Sequence, residues 1–237
     1  MRQLILSVLV SGLIVSAAIA DDAEARKVLE AAIKATGGTG QSQAVSWKGK
    51  GQSHATGEAT DYTGTWSKQL PDKSRIEIEN AVTTIVNGDK AWTSKAGNVR
   101  EMTKDQLAEQ REELHAEWVM SLHPLKDKAF TLSLVGESKL GDKPVIGVTV
   151  SHKGRRDVTL YFDKASHLLV KEEHVVKDEL SGKDEIQETV ITDWAMVGDT
   201  KVASKIVVKR DGRPYQNGEM SNYNIADKHP DGTFDKP

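Results

Sequence analysis

The chain has 237 residues, 28% of them charged, a formal net charge of -3 and no cysteine. That length suits one domain or at most two, and charges of interspersed sign with no basic excess make no electrostatic footprint for nucleic acid or an anionic membrane. Without cysteine there are no disulfide staples, no thiolate catalysis, no cysteine-ligated metal, and no lipidated cysteine is expected.

The first twenty residues read as an export leader. "MRQ" is a short positive start, "LILSVLVSGLIVSAA" an apolar run, and Ala18-Ile19-Ala20 before Asp21 a small-x-small cleavage signature. The run falls short of the ~20 apolar residues of a comfortable membrane span, and no other stretch approaches that length. The expectation is cleavage after Ala20, a periplasmic or secreted product, and a single domain over 21–237 without a membrane span.

From Asp21 the spacing of Ala25, Val28, Leu29, Ala32 and Ile33 predicts a one-face helix, stopped by Gly37-Gly38. A second helix is announced by Thr103 and Gln106, the two ends of a capping box. Leu107, Arg111, Leu114, Trp118, Val119 and Leu122 then follow one side until Pro124. Almost everything else alternates with period two, from Val45-x-Trp47 through Tyr62-x-Gly64-x-Trp66 and Ile76-x-Ile78 to Val190-x-Thr192-x-Trp194-x-Met196. Asn87-Gly88 and Asp211-Gly212 are hairpin turns, with looser ones at "LGDKP", "SGKD" and "VGDTK".

No strand alternates with a helix, which argues against a parallel β/α design. The predicted fold is α+β and mainly antiparallel, with about eleven strands in one meander. Accumulated twist bends such a sheet into a strongly curved open half-barrel, and the two amphipathic helices are suited to cover its concave face.

Catalytic chemistry finds little support. No G-x-S-x-G elbow and no phosphate-binding glycine loop is present; "ATGGTG" follows a helix rather than a strand. The seven histidines are not spaced for shared ligation, and Glu112-x-x-His115 occurs once where a di-iron bundle needs two copies. The acid pairs Glu112-Glu113, Glu172-Glu173 and Asp184-Glu185 are chain neighbours, so on a strand their members face opposite ways. No metal, cofactor or enzymatic activity is expected.

In "YFDKASHLLVKEEH", Leu160 and Phe162 run up one strand, and Leu168 and Val170 return on the same dry face. Glu172 and His174 continue that parity toward an end where the sheet is expected to reach water. A curved sheet under helices encloses a pocket, and burial of an acyl chain yields about 0.8 kcal/mol per methylene with no motif required. The candidate wall consists of Trp47, Trp66, Ile76, Ile78, Trp92, Leu114, Trp118, Leu122, Val148, Leu160, Phe162, Leu168, Val170, Val190 and Trp194.

Two stretches carry a resemblance to a known group. "VTLYFDKASHLLVKEEH" resembles the aromatic-Asp hairpin, and "NYNIADKHPDGTFDKP" the closing strand and Phe-x-x-Pro tail, of the LolA/LolB superfamily of lipoprotein-carrier-like exported proteins. The resemblance implies a bent antiparallel sheet, a hydrophobic cavity for lipid or acyl chains, and a lipoprotein or other envelope protein as partner. Arg75, in "KSRIEIE", is the nearest positional candidate for the carriers' functional arginine. Two alternatives stay open: an envelope interaction or sensor module whose half-barrel is filled by its own side chains, and an envelope hydrolase.

Overall fold

The computed structural model describes residues 11–37, 44–178 and 181–237. Residues 1–10 of the expected leader, and Gly38 of the expected helix stop, lie outside them. Helix α1 (Ser11–Ala35) precedes β1 (Ala44–Ser53), β2 (Thr60–Gln69), β3 (Lys73–Ile78), β4 (Val82–Asn87), β5 (Lys90–Lys95) and β6 (Asn98–Glu101). Helix α2 (Lys104–Met120) and a single turn at His123–Lys126 interrupt the strands, which resume as β7 (Phe130–Leu140), β8 (Lys143–His152), β9 (Val158–Asp163) and β10 (Leu169–Lys177). The chain closes with β11 (Asp184–Val197), β12 (Thr200–Arg210) and β13 (Arg213–Ala226).

All the strands join one antiparallel sheet in the order β6-β5-β4-β3-β2-β1-β13-β12-β11-β10-β9-β8-β7. The sheet is curved and open, the helices cover its concave face, and the α+β half-barrel expected from the sequence is the fold. Among the described residues the strands number thirteen rather than about eleven. Strand β6 has four residues, too few to register as an alternating run.

Local chemistry accounts for the elements. Thr103 Oγ1 accepts from Gln106 N at 3.2 Å and Gln106 Oε1 accepts from Thr103 N at 3.0 Å, so the predicted capping box starts α2. Leu122 ends it in a left-handed conformation at φ 64°, which turns Leu122 and Leu125 into the core. The Asp211-Gly212 turn has φ values of 47° and 74°, both positive as a type I′ hairpin requires. At the other predicted turn Asn87 pairs with Lys90, so the loop is Gly88-Asp89, one residue later than expected. Helix α1 begins at Ser11, ahead of the expected start at Asp21. No proline stands between these two positions to break it.

The principal core lies under the helices at the β7 end of the sheet. Ala25, Leu29, Ala32 and Ile33 of α1 and Ala116 and Val119 of α2 meet Leu132, Val148, Val150, Leu160 and Phe162. Each fully buried aliphatic or aromatic side chain there contributes about 1.5–3 kcal/mol. Helix α1 also seals the β7 edge. Asp22 Oδ1 accepts from Leu132 N at 3.2 Å and Asp21 Oδ1 from Leu134 N at 3.1 Å, while Arg26 Nη2 donates to Phe130 O at 3.0 Å. These side chains satisfy backbone groups that would otherwise offer a pairing edge to another chain.

Candidate functional site

The ladder registers show which side chains share the concave face. Lys68 on β2 reaches Glu117 of α2 at 2.9 Å, so the alternate residues Tyr62, Gly64 and Trp66 point the same way. Their partners on β1 are Gly51, Gly49 and Trp47, and on β3 Ile78 and Ile76 pair with Gly64 and Trp66. Trp47 and Trp66 stack with centroids 6.0 Å apart at 6°, Tyr223 stacks on Trp47 at 5.8 Å, and Tyr62 meets Trp66 edge-on at 6.0 Å. This row crosses β13, β1 and β2, and its rings are only partly buried.

The row lies low because its floor has no side chains. A methyl group on Gly49 would stand 2.7 Å from the Trp66 ring, and one on Gly218 would meet the Tyr62 hydroxyl at 2.8 Å. Tyr62 in turn donates to Asn217 O at 2.9 Å and accepts from Gln216 Nε2 at 2.8 Å, which fixes its ring. Nearby, an open depression of about 310 Å³ at the tips of the β3–β4 and β5–β6 hairpins is lined by Ile78, Val82, Ser94 and Lys95, among others.

The candidate wall residues divide into groups. Trp47, Trp66, Ile76 and Ile78 share the concave face at the aromatic row. Leu122, Val148, Leu160 and Phe162 belong to the principal core, and Trp118 and Trp194 pack against it. Leu114 of α2 closes a smaller cluster with Val86 and Ala91. Trp92 lies on the opposite face, where the C-terminal tail covers it: it packs with Ile85 and Phe234. Val190 is also on that face, paired with Lys171 and Val207, because register shifts around Asp193 bring Ile191 and Trp194 rather than Val190 to the core. A bulge after Leu169 has a similar effect on the return strand. Leu169, not Leu168, stands opposite Phe162, and Val170 is the residue left unpaired. Arg75 shares the outer face with Ile85, its partner across β4, where it pairs with Glu77 at 2.6 Å and donates to Thr233 O of the tail at 3.4 Å.

Glu172 and His174 are not at a wet rim. Their parity matches expectation, since they stand opposite Leu160 and Val158, but their exposures are 1% and 7%. Helix α2 crosses this end of the sheet and excludes water. It does so with a row of carboxylates. Glu109 takes two hydrogen bonds of 2.7 Å from Arg156, and Glu112 pairs with Arg155 at 3.0 Å. Glu113 approaches His174 Nε2 at 3.6 Å and Arg210 Nη2 at 3.9 Å, and Glu117 takes Lys68. On the other arm of the sheet, Arg111 donates to Gly88 O at 2.8 Å. The helix thus spans the half-barrel from the β4–β5 turn to the β8–β9 turn.

Burial governs the protonation states in this seam. Burial raises the Glu172 carboxyl above its ordinary value, against the nearby His174. Burial alone would lower the His174 imidazole, but Glu113 and Glu172 outweigh it and push it up to about 10. Burial would raise Glu113, yet His174, Arg210 and Lys68 together hold it below the usual range. Burial lowers His115, helped by Arg155, to about 4, and its ring stands beside the stacked pair of Phe130 and His152, at centroid distances of 6.2 and 5.6 Å. Sequence reasoning missed Lys68 and Arg210 altogether. The available signal was a cation at a position whose neighbours two residues away, Trp66 and Val208, belong to a dry face.

Among the described residues no group of three or more His, Asp or Glu is arranged to hold a metal ion, and no helix is long and apolar enough to cross a membrane. No family model matches the sequence, and no curated protein matches it either. Solved structures do match. A LolA superfamily protein from Nitrosomonas europaea superposes with a TM-score of 0.58 at 11% identity, over 90% of this chain and 97% of that one. The chain has a LolA-like fold. A domain assigned to outer membrane lipoprotein sorting, from Vibrio parahaemolyticus, shares this LolA-like architecture with a TM-score of 0.57 at 10% identity, over 89% and 97% of the two chains. So does a DUF1329 family protein from Desulfovibrio piger, at 0.58 and 10% with the same coverage.

Proposed function

We propose that this LolA-like protein is an exported, non-enzymatic binding protein that holds lipid or another apolar ligand on the concave face of its sheet, beside α2. The observation that carries this reading is the row of Tyr62, Trp66, Trp47 and Tyr223, left partly open on that face above a glycine floor. Aromatic side chains carry much of a fold's buried apolar area, and a contiguous apolar patch left open marks an interaction site. The lipoprotein-sorting role named for one structural relative with the same fold agrees with it. Helix α2, tied to the sheet by ion pairs as well as by core packing at Leu114, Ala116 and Val119, is the element that moves to admit the acyl chain, together with its flanks from Val99 to Lys128. The leader is cleaved after Ala20, and 21–237 is one periplasmic or secreted domain whose partners are a lipid or lipoprotein and an envelope protein.

Native mass spectrometry of the protein isolated from its own envelope tests both parts. The expected spectrum shows a mature chain beginning at Asp21 with an added mass that organic extraction releases as lipid. A bare mass, with no displacement of an apolar fluorescent probe, sinks the ligand reading. The alternative of an interaction module draws on the filled core under α1 and α2, and it would be favoured by that bare mass together with a co-purifying envelope protein.

A further inference from the structure

The seam under α2 has a charge arrangement that a structural strut does not need. On the sheet, Lys68, His174 and Arg210 face the helix and are offset by a single carboxylate among them, Glu172. Glu113 and Glu117, one helical turn apart, enter this patch from α2. Lys68, with 4% of its side chain exposed, is paired at 2.9 Å, but Glu113 fits loosely. Its distances of 3.6 Å to His174 and 3.9 Å to Arg210 are ion-pair separations beyond hydrogen-bond reach. His174 Nε2 and Glu172 Oε2 are both buried and have no hydrogen-bond partner among the described residues.

A donor left unfilled beside a carboxylate that comes close and stops short is a position for a better-fitting anion. The patch also adjoins apolar ground: Trp66 is two residues from Lys68 on the same face of β2, and Val208 two residues from Arg210 on β12. Under an occupant that took the place of α2, the cations would stay dry and lose their counter-charges, at a cost in stability for each one stranded. A neutral occupant leaves that cost unmet, whereas an amphiphile with an anionic head offsets it.

We propose that Glu113 and Glu117 are internal stand-ins for the anionic head group of an amphiphile. Lys68, His174 and Arg210 receive the head group's phosphate or carboxylate, and its apolar chain lies along Trp47 and Trp66. This inference rests on the reading that the concave face binds an apolar ligand, and it adds the chemistry of the head.

The test uses the exported protein with a bound neutral dye, N-phenylnaphthylamine, displaced by palmitate, by cetyl phosphate, and by cetyl alcohol, which has the same chain with no charge. Both anionic amphiphiles are expected to displace the dye at roughly tenfold lower concentration than the alcohol, and inorganic phosphate alone not at all. Glu117→Gln, on a half-exposed side chain, takes the counter-charge from Lys68; with its fold checked by circular dichroism, it is expected to tighten palmitate several-fold and leave the alcohol unchanged. Lys68→Gln combined with Arg210→Gln is expected to abolish the preference, and Lys68→Arg to retain it. Equal displacement by palmitate and alcohol, or weaker palmitate binding in Glu117→Gln, overturns the head-group assignment while leaving the apolar site standing. Displacement by inorganic phosphate alone overturns it in favour of a free anion site. Failure of the dye and of every amphiphile to bind overturns the underlying reading.

Discussion

The concave face has two regions built from the same alternating strands. At the β7 end, Leu132, Val148, Val150, Leu160 and Phe162 are covered by α1 and by the second half of α2, and each is almost wholly removed from water. At the β1–β2 end, Trp47 and Trp66 face the same way, stack on one another, and remain partly open. The difference lies in what stands beneath and above. Aliphatic residues at the first end interdigitate with helix side chains, whereas Gly49, Gly51, Gly64 and Gly218 at the second let rings lie flat on the backbone. One region closes against its own chain, and the other stays partly open.

The largest expected effect breaks the closed region. Leu160→Ala, at a fully buried position, should lower stability by about 2–5 kcal/mol in urea unfolding. Trp66→Ala should cost less, below about 3 kcal/mol, because part of the ring is already wet, yet it should weaken apolar-probe binding by about tenfold. If Trp66→Ala unfolds the protein as readily as Leu160→Ala, the row is core and the distinction fails.

Two smaller effects sharpen the comparison at the boundary. Gly49→Ala places a methyl group against Trp66 and should cost about 1–3 kcal/mol, with a shift in tryptophan fluorescence as the ring lifts. An unchanged spectrum would mean that the glycine floor does not set the height of the row. Removing the α2 capping box with Thr103→Ala should cost about 0.5–2 kcal/mol and raise amide exchange in the first turns of the helix, while the principal core stays protected.

The seam between the regions has its own pH signature. His174 titrates higher in the folded state than its ordinary 6.5, at about 10, so the stability it contributes is fully present below 6.5 and declines as pH rises through about 10. Urea midpoints of the native protein and of His174→Gln should therefore converge between neutral pH and about 10. A gap that is constant over that window would mean the imidazole is neutral throughout.

Much of the architecture was legible from local signals. Thr103 with Gln106, the Asp211-Gly212 turn and the period-two runs all act within a few residues of themselves. The polar middle of "YFDKASHLLVKEEH" was legible in parity alone: Glu172 and His174 lie on the dry face that alternation from Leu160 and Val158 dictates. Their burial was not, because it depends on Glu113 and Arg210, which sit far away along the chain and arrive through α2 and β12. Val190 and Leu168 were misplaced by bulges, which insert a residue and flip the parity that sequence counting assumes. Trp92 was misplaced for another reason, since a dry outer face exists at β5 only because Phe234 folds back onto it.

The sequence by itself therefore determined most of the strands, the start of α2 and the class of fold, all set by spacing, caps and turn residues over short distances. Only the tertiary structure decided which dry face closes on itself, which stays open, and which charges meet beneath α2. Those outcomes follow from curvature and from contacts between elements distant along the chain, and no local pattern encodes them.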